Sequence, residues 1–186
     1  MIADEIGEEI IESARKLVSK NDAKQITVRD ILNDLNITNR VFYNRFHNID
    51  EVLDILYKET ISKIRECMKS EYDSSQDYIQ YIKRVVTQTF VLSYENKKKF
   101  GRHIFDIDAN SNENFDWWNG EIIKLINYGK ENKYIKSEID EEKLSYAVWC
   151  FIRGFNADAI ARKQPLDKAT EKFNYSFELL LNGVIK

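Results

Sequence analysis

Ile26-Thr-Val-Arg-Asp-Ile-Leu-Asn-Asp-Leu-Asn-Ile-Thr-Asn-Arg-Val-Phe-Tyr-Asn-Arg-Phe-His-Asn-Ile-Asp-Glu-Val-Leu53 is the stretch whose reading decides the fold. Thr27-Val-Arg-Asp30 has the form of a capping box, with Asp30 in the place usually taken by Glu or Gln. Ile31, Leu32 and Leu35 then supply the buried stripe of a short helix. Asn36 ends it, because Asn tolerates the left-handed conformation that follows a last helical turn. Ile37 comes next, then Thr38, a good N-cap. A third helix is predicted from about Thr38 to Phe46, with Val41, Phe42 and Phe46 facing a core. Two helices of about two turns each thus flank a tight turn, which is the outline of a helix-turn-helix unit.

Working outward, residues 4–20 carry Ile6, Ile10, Ala14, Leu17 and Val18 at helical spacing, and Asn21-Asp22-Ala23-Lys24 reads as the stop. A fourth helix starts at Asn48 or Asp50 and runs to about residue 70 through Leu53, Leu56, Ile61, Ile64 and Met68. A fifth is predicted over about 77–94, and a short one over 97–107. Ala109 to Asn114 reads as a loop. Further helices are predicted over 115–131, 141–162 and 165–184, with Pro165 in the first turn of the last, where its missing N–H costs nothing. The reading is all-α with about nine helices. Residues 1–49 are expected to form the helix-turn-helix domain and 50–186 a second helical domain.

Composition agrees. The chain has 186 residues, 43% hydrophobic and 12% aromatic, which excludes a disordered chain. One Pro and six Gly are too few for the turns of a sandwich or barrel. Net charge is −3, so contact with nucleic acid has to come from a local patch. Lys24, Arg29, Arg40 and Arg45 face only Asp30 and Asp34 between residues 24 and 49, and His47 can add charge. Cys67 and Cys150 have no CxxC spacing and read as reduced thiols. The acidic N-terminus is unlike a signal peptide, and 18 consecutive apolar residues occur nowhere, so a cytoplasmic protein off the membrane is expected. Two histidines 56 residues apart, without a Gly-rich phosphate loop, an HExxH or a nucleophile elbow, argue against an enzyme and against a metal or cofactor. Asp106 and Asp108 form a carboxylate pair that solvation at a helix end explains.

Thr27, Ile31, Ile37, Thr38, Tyr43, Phe46, Glu51 and Leu53 resemble the pattern of the TetR family of transcriptional regulators. That pattern is a Thr-opened helix, a turn ending in a small apolar residue, a recognition helix closing in Tyr-x-x-Phe, and an acidic helix start followed by Leu. The phrase Ile139-Asp-Glu-Glu-Lys-Leu-Ser-Tyr-Ala147 is similar to the opening of the family's C-terminal dimerisation helices. Two positions depart from it. Leu35-Asn36 stands where the family usually has Gly or Ala-Gly, and Ile49 stands where it usually has a Lys that touches a DNA phosphate.

A recognition helix reads bases with residues near its N-terminus, and Thr38, Asn39 and Arg40 lie there. Arg can donate twice to guanine, and Asn can pair with the adenine edge. Thr38 suits a base contact, a plain cap, or both. Val41 suits a thymine methyl or simple packing. Arg45 and Thr27 are expected phosphate contacts, with Thr27 at a helix N-terminus. The resemblance implies a phosphate contact for Tyr43, against half-buried packing. Asn44 and His47 complete the candidate DNA-binding set.

The resemblance also implies a ligand pocket in the second domain. Phe90, Tyr94, Phe105, Trp118, Tyr128 and Trp149 are the candidate walls, and His103 and Arg153 the polar candidates, although aromatics at helical spacing are more often core. Leu144, Val148, Phe151 and Phe155, then Phe173, Phe177, Leu180, Leu181 and Val184, form stripes suited to a four-helix dimer interface. The expected function is a homodimeric transcriptional repressor that binds a palindromic operator and is released by a small apolar or aromatic effector. The alternative is a regulator, or an activator, controlled by a protein partner without a small-molecule effector.

Overall fold

The computed structural model describes residues 4–20, 23–68, 72–73, 75–100 and 112–186. Among them the chain is helical: α1 (Glu5–Lys20), α2 (Val28–Leu35), α3 (Asn39–Tyr43), α4 (Ile49–Met68), α5 (Tyr78–Phe100), α6 (Asn112–Glu131), α7 (Glu141–Ala161) and α8 (Leu166–Val184). A 3-10 turn, Ala23–Gln25, precedes α2. The chain divides into two compact units, Met1–Lys63 with Asn96–Ile107, and Ile64–Glu95 with Asp108–Lys186. The expected boundary after residue 49 falls within the first of these units. The units divide the chain by packing, because Val52, Leu53, Leu56 and Tyr57 of α4 belong to the core of the first unit.

That core is built on Ile10, Ala14, Ile31, Phe42 and Phe46, all buried, with Ala23 and Ile26 sealing the connection between α1 and α2. Full burial of each large apolar side chain contributes about 1.5–3 kcal/mol. Ile49, where the resembling pattern has a Lys, packs half-buried against this core.

The second unit gathers its aromatic side chains into three groups. Phe173 is central to one of them: Phe90 stacks on it at 4.2 Å, with Phe151 at 5.3 Å, Phe155 at 5.6 Å and Phe177 at 6.1 Å. Tyr72, Tyr78, Tyr81, Tyr128 and Tyr134 form another, in which the buried Tyr78 hydroxyl donates to the Leu125 carbonyl at 2.7 Å. Desolvation raises the Tyr78 phenol far above its ordinary value. The third group is the tryptophans. The chain end is fastened by an isolated antiparallel bridge between Ile135 and Ile185, with the Lys136 N–H donating to the Val184 carbonyl at 3.0 Å.

Several boundaries differ from the sequence reading. α3 stops at Tyr43 instead of Phe46, because the Arg45 N–H turns back to the Phe42 carbonyl at 2.9 Å in a tighter turn. Residues 97–100 continue α5, whose Lys-rich end has good helix propensity, and 101–107 lie outside the described residues. Asn112, Glu113 and Asn114 are helical, not loop, since the Asn114 side chain is engaged by Arg65. Residues 109–111 lie outside the described residues. Pro165 is the N-cap of α8, one residue before its first turn.

Candidate nucleic-acid interface

The helix-turn-helix forms as its local chemistry dictates. Thr27 is extended, its hydroxyl accepts the Asp30 N–H at 3.4 Å, and the Asp30 carboxylate accepts the Thr27 N–H at 2.8 Å. This is the expected capping box. The Thr27 hydroxyl also donates to Asp30 at 2.7 Å, and these bonds hold the Asp30 carboxyl below its usual range. Asn36 ends α2 at φ 51° and ψ 43°, and its N–H returns to the Leu32 carbonyl. Ile37 N–H bonds the same carbonyl at 3.1 Å. The left-handed conformation at Asn36 therefore stands in for the glycine of the resembling pattern at small cost.

Thr38 occupies the N-cap of α3, but its side chain makes no capping hydrogen bond, which leaves the hydroxyl available to a ligand. Asn39 and Arg40 follow, both exposed. Arg40 makes no ion pair among the described residues. Val41 is half-buried, between its two expected roles. Tyr43 is 54% exposed, its ring edge-on to the buried Phe42 at 5.4 Å. Its hydroxyl end is therefore presented outward from a ring anchored on the core. Asn44 is exposed at the C-cap. Phe42 on the opposite face of α3 and Phe46 just beyond its end are both buried, 5.7 Å apart.

Arg45 has an internal partner. Its Nε donates to Asp4 Oδ1 at 2.7 Å, its Nη2 also pairs with the Asp4 carboxylate, and its Nη1 donates to the Val41 carbonyl at 2.9 Å. Its side chain is only 13% exposed. Asp4 meanwhile accepts the Gly7 N–H at 2.8 Å at the start of α1. The Arg45 guanidinium, and then the Gly7 N–H, hold the Asp4 carboxyl below the usual carboxylate range. The pair clamps the turn that follows α3 to the start of α1, a contact 41 residues apart that sequence reasoning missed. His47 is exposed, its Nδ1 2.8 Å from Glu51 Oε1 and its N–H donating to Glu51 Oε2 at 2.9 Å. Asn48 caps α4 by accepting the Glu51 N–H at 3.0 Å.

The candidate ligand residues fall into the three separate aromatic groups. Phe90 is stacked in the phenylalanine core, and the Tyr94 hydroxyl donates to the Gln164 carbonyl. Tyr128 packs on Tyr72 at 4.9 Å. Trp118 and Trp149 lie 6.4 Å apart, with Arg153 over Trp149 at 5.2 Å. His103 and Phe105 lie outside the described residues. A surface cleft of about 310 Å³ between α7 and α8 is lined by Phe155, Arg162, Gln164 and Lys172 among others, and by none of the described candidates. Among the described residues no cluster of three His, Cys, Asp or Glu side chains is placed to hold a metal ion, and no helix is long and apolar enough to cross a membrane.

No family model and no curated protein matches this chain. Solved structures do. A TetR-family transcriptional regulator from Pectobacterium atrosepticum superposes with a TM-score of 0.77 at 12% identity, covering 97% of this chain and 94% of its own. The fatty acid degradation regulator of Bacillus halodurans gives 0.64 at 17% identity and 98% coverage of both chains. The ketosteroid transcriptional regulator of Mycobacterium tuberculosis gives 0.59 at 18% identity, covering 100% of this chain and 97% of its own. With a capping box at Thr27, a left-handed turn at Asn36 and an exposed Thr38-Asn39-Arg40 on a buried Phe42, the chain has the fold of the TetR-family transcriptional regulators.

Proposed function

We propose that this protein is a transcriptional regulator that binds a palindromic operator as a homodimer, acts as a repressor, and is released by a small effector. The observation that carries the reading is the first turn of α3. Thr38, Asn39 and Arg40 are exposed there, their side chains without a hydrogen bond or ion pair among the described residues, on a helix whose other face is locked into a core by Phe42, with Phe46 just beyond its end. Preorganised donors on a rigid element are what base readout requires. Tyr43 is assigned to a phosphate, and Asn44 and His47 to the rim of the same surface. Arg45 and Thr27 are assigned to positioning, because their polar atoms are already bonded to Asp4 and Asp30.

Dimerisation is assigned to α7 and α8, with a revised set of contacts. Phe173, Phe177 and Leu181 are buried within the unit and Leu180 packs against that core. The apolar side chains left outward are Tyr146 at 58%, Tyr175 at 68% and Leu179 at 59% exposure. Two copies would cover them and supply the paired recognition helices that two half-sites need. α4 contributes residues to both units, so it is the element through which effector binding changes the spacing of the recognition helices. Such coupling is typically about 1–3 kcal/mol and reciprocal.

The test is an anisotropy titration against duplexes from the gene's own upstream region. Saturable binding to one inverted repeat at moderate salt supports the reading. Equal affinity for every duplex contradicts it.

A further inference from the structure

Arg65, on α4 within the second unit, is a cation whose hydrogen bonding is incomplete. Its side chain is 23% exposed. Nη2 donates to Oδ1 of the buried Asn114 at 2.9 Å, and the guanidinium lies 5.0 Å from the Trp117 ring centre. Glu113 Oε1 stands 4.0 Å from Nη1, beyond hydrogen-bond reach, on a side chain that is 89% exposed. Arg65 Nε is buried and has no hydrogen-bond partner among the described residues. A desolvated N–H without an acceptor costs free energy that an incoming acceptor recovers, and a charged acceptor recovers most.

Trp117, the ring beside this cation, opens a row of aromatic side chains. Trp117 meets Trp118 edge-on at 5.1 Å, Trp118 meets Trp149 at 6.4 Å, and Phe115 packs on Trp149 at 5.7 Å. Arg153 lies over the far end of this row, 5.2 Å from the Trp149 ring centre, and makes no ion pair among the described residues. A small inorganic anion would meet the charge and leave the indole row unused. A neutral apolar molecule would use the row and leave Nε bare.

We propose that this place takes an amphipathic carboxylate. One carboxylate oxygen accepts from Arg65 Nε, and the apolar body lies against Trp117 and Trp118. This rests on the effector reading above and narrows the ligand from apolar or aromatic to apolar with an anionic head. Sequence reasoning missed Arg65, which stands beside Ile64 at the edge of an ordinary apolar stripe and acquires meaning only from α6.

The experiment is calorimetric titration of the full chain, without DNA, with 2-naphthoate, its neutral counterpart 2-naphthamide, acetate and inorganic phosphate. The expected result is 2-naphthoate at least about tenfold tighter than 2-naphthamide, with acetate and phosphate weaker still. Arg65→Gln is expected to abolish the preference for acid over amide while the variant still unfolds cooperatively. If that variant does not fold, the comparison in the natural chain decides. Equal binding of acid and amide, no binding of either, acetate or phosphate as tight as naphthoate, or a folded Arg65→Gln that keeps the preference would each overturn the proposal. The regulator reading is scored separately, by DNA binding of the same preparation.

Discussion

Arg40 and Arg45 lie on one short stretch of chain, yet their removal should produce opposite signatures. Arg45 spends Nε and Nη2 on Asp4 and Nη1 on the Val41 carbonyl, with a side chain 13% exposed. A cation so neutralised releases almost no counterion when DNA binds, whereas each true phosphate contact contributes about 0.9 to the slope of log K against log salt. Arg45→Ala should therefore weaken every duplex alike, by loosening α3 from the start of α1, while the salt slope changes by far less than one. Asp4→Asn should give the same phenotype, because it removes the other half of the clamp. Arg40→Ala should instead cost about 1–3 kcal/mol and relax preference at one base pair. The assay is anisotropy on cognate and single-base variant duplexes across about 50–200 mM salt. If Arg45→Ala lowers the slope by about one and Asp4→Asn, by freeing Arg45, tightens binding, then Arg45 is a phosphate contact and the clamp argument is wrong.

Three further outcomes are expected. A Cβ at Gly129 would lie 2.6 Å from the Tyr78 hydroxyl and 2.8 Å from Ile135 Cδ1, so Gly129→Ala should destabilise the chain by about 1–3 kcal/mol in urea unfolding, against the gain Ala usually brings to a helix. Phe173→Ala, at the centre of the phenylalanine group and fully buried, should cost about 3–5 kcal/mol by the same measurement. Leu179→Glu, on the outward face of α8, should leave unfolding nearly unchanged but yield monomers in sedimentation, and an unchanged dimer would move the interface elsewhere.

Much of the first unit was legible because its signals are local. The Thr27–Asp30 box, the Asn36 cap and the Phe42–Phe46 face are set by residues within four positions of one another. The all-helical class followed from the same periodicity and from the scarcity of Pro and Gly. What escaped was long-range. Asp4 and Arg45, and Arg65 and Asn114, are brought together only by packing. The same cause moved the start of α6 to Asn112 and placed Phe90 and Tyr94 in one buried cluster with Phe173, since nothing near them in sequence announces Phe173 or Gln164. Outward and inward residues of α8 were likewise inseparable by composition: Leu179 and Leu180 are neighbours, yet only Leu179 faces out.

The account stands or falls on whether the first turn of α3 reads DNA. The most direct measurement is selection of bound duplexes from a randomised pool by the purified protein, run in parallel with the Arg40→Ala variant. The account predicts one enriched inverted repeat, its half-sites separated by about 34–36 Å or a multiple of it, with information lost at a single base pair of each half-site in the variant. A pool that shows no enriched sequence, or a variant that selects the same repeat with the same preferences, would contradict it.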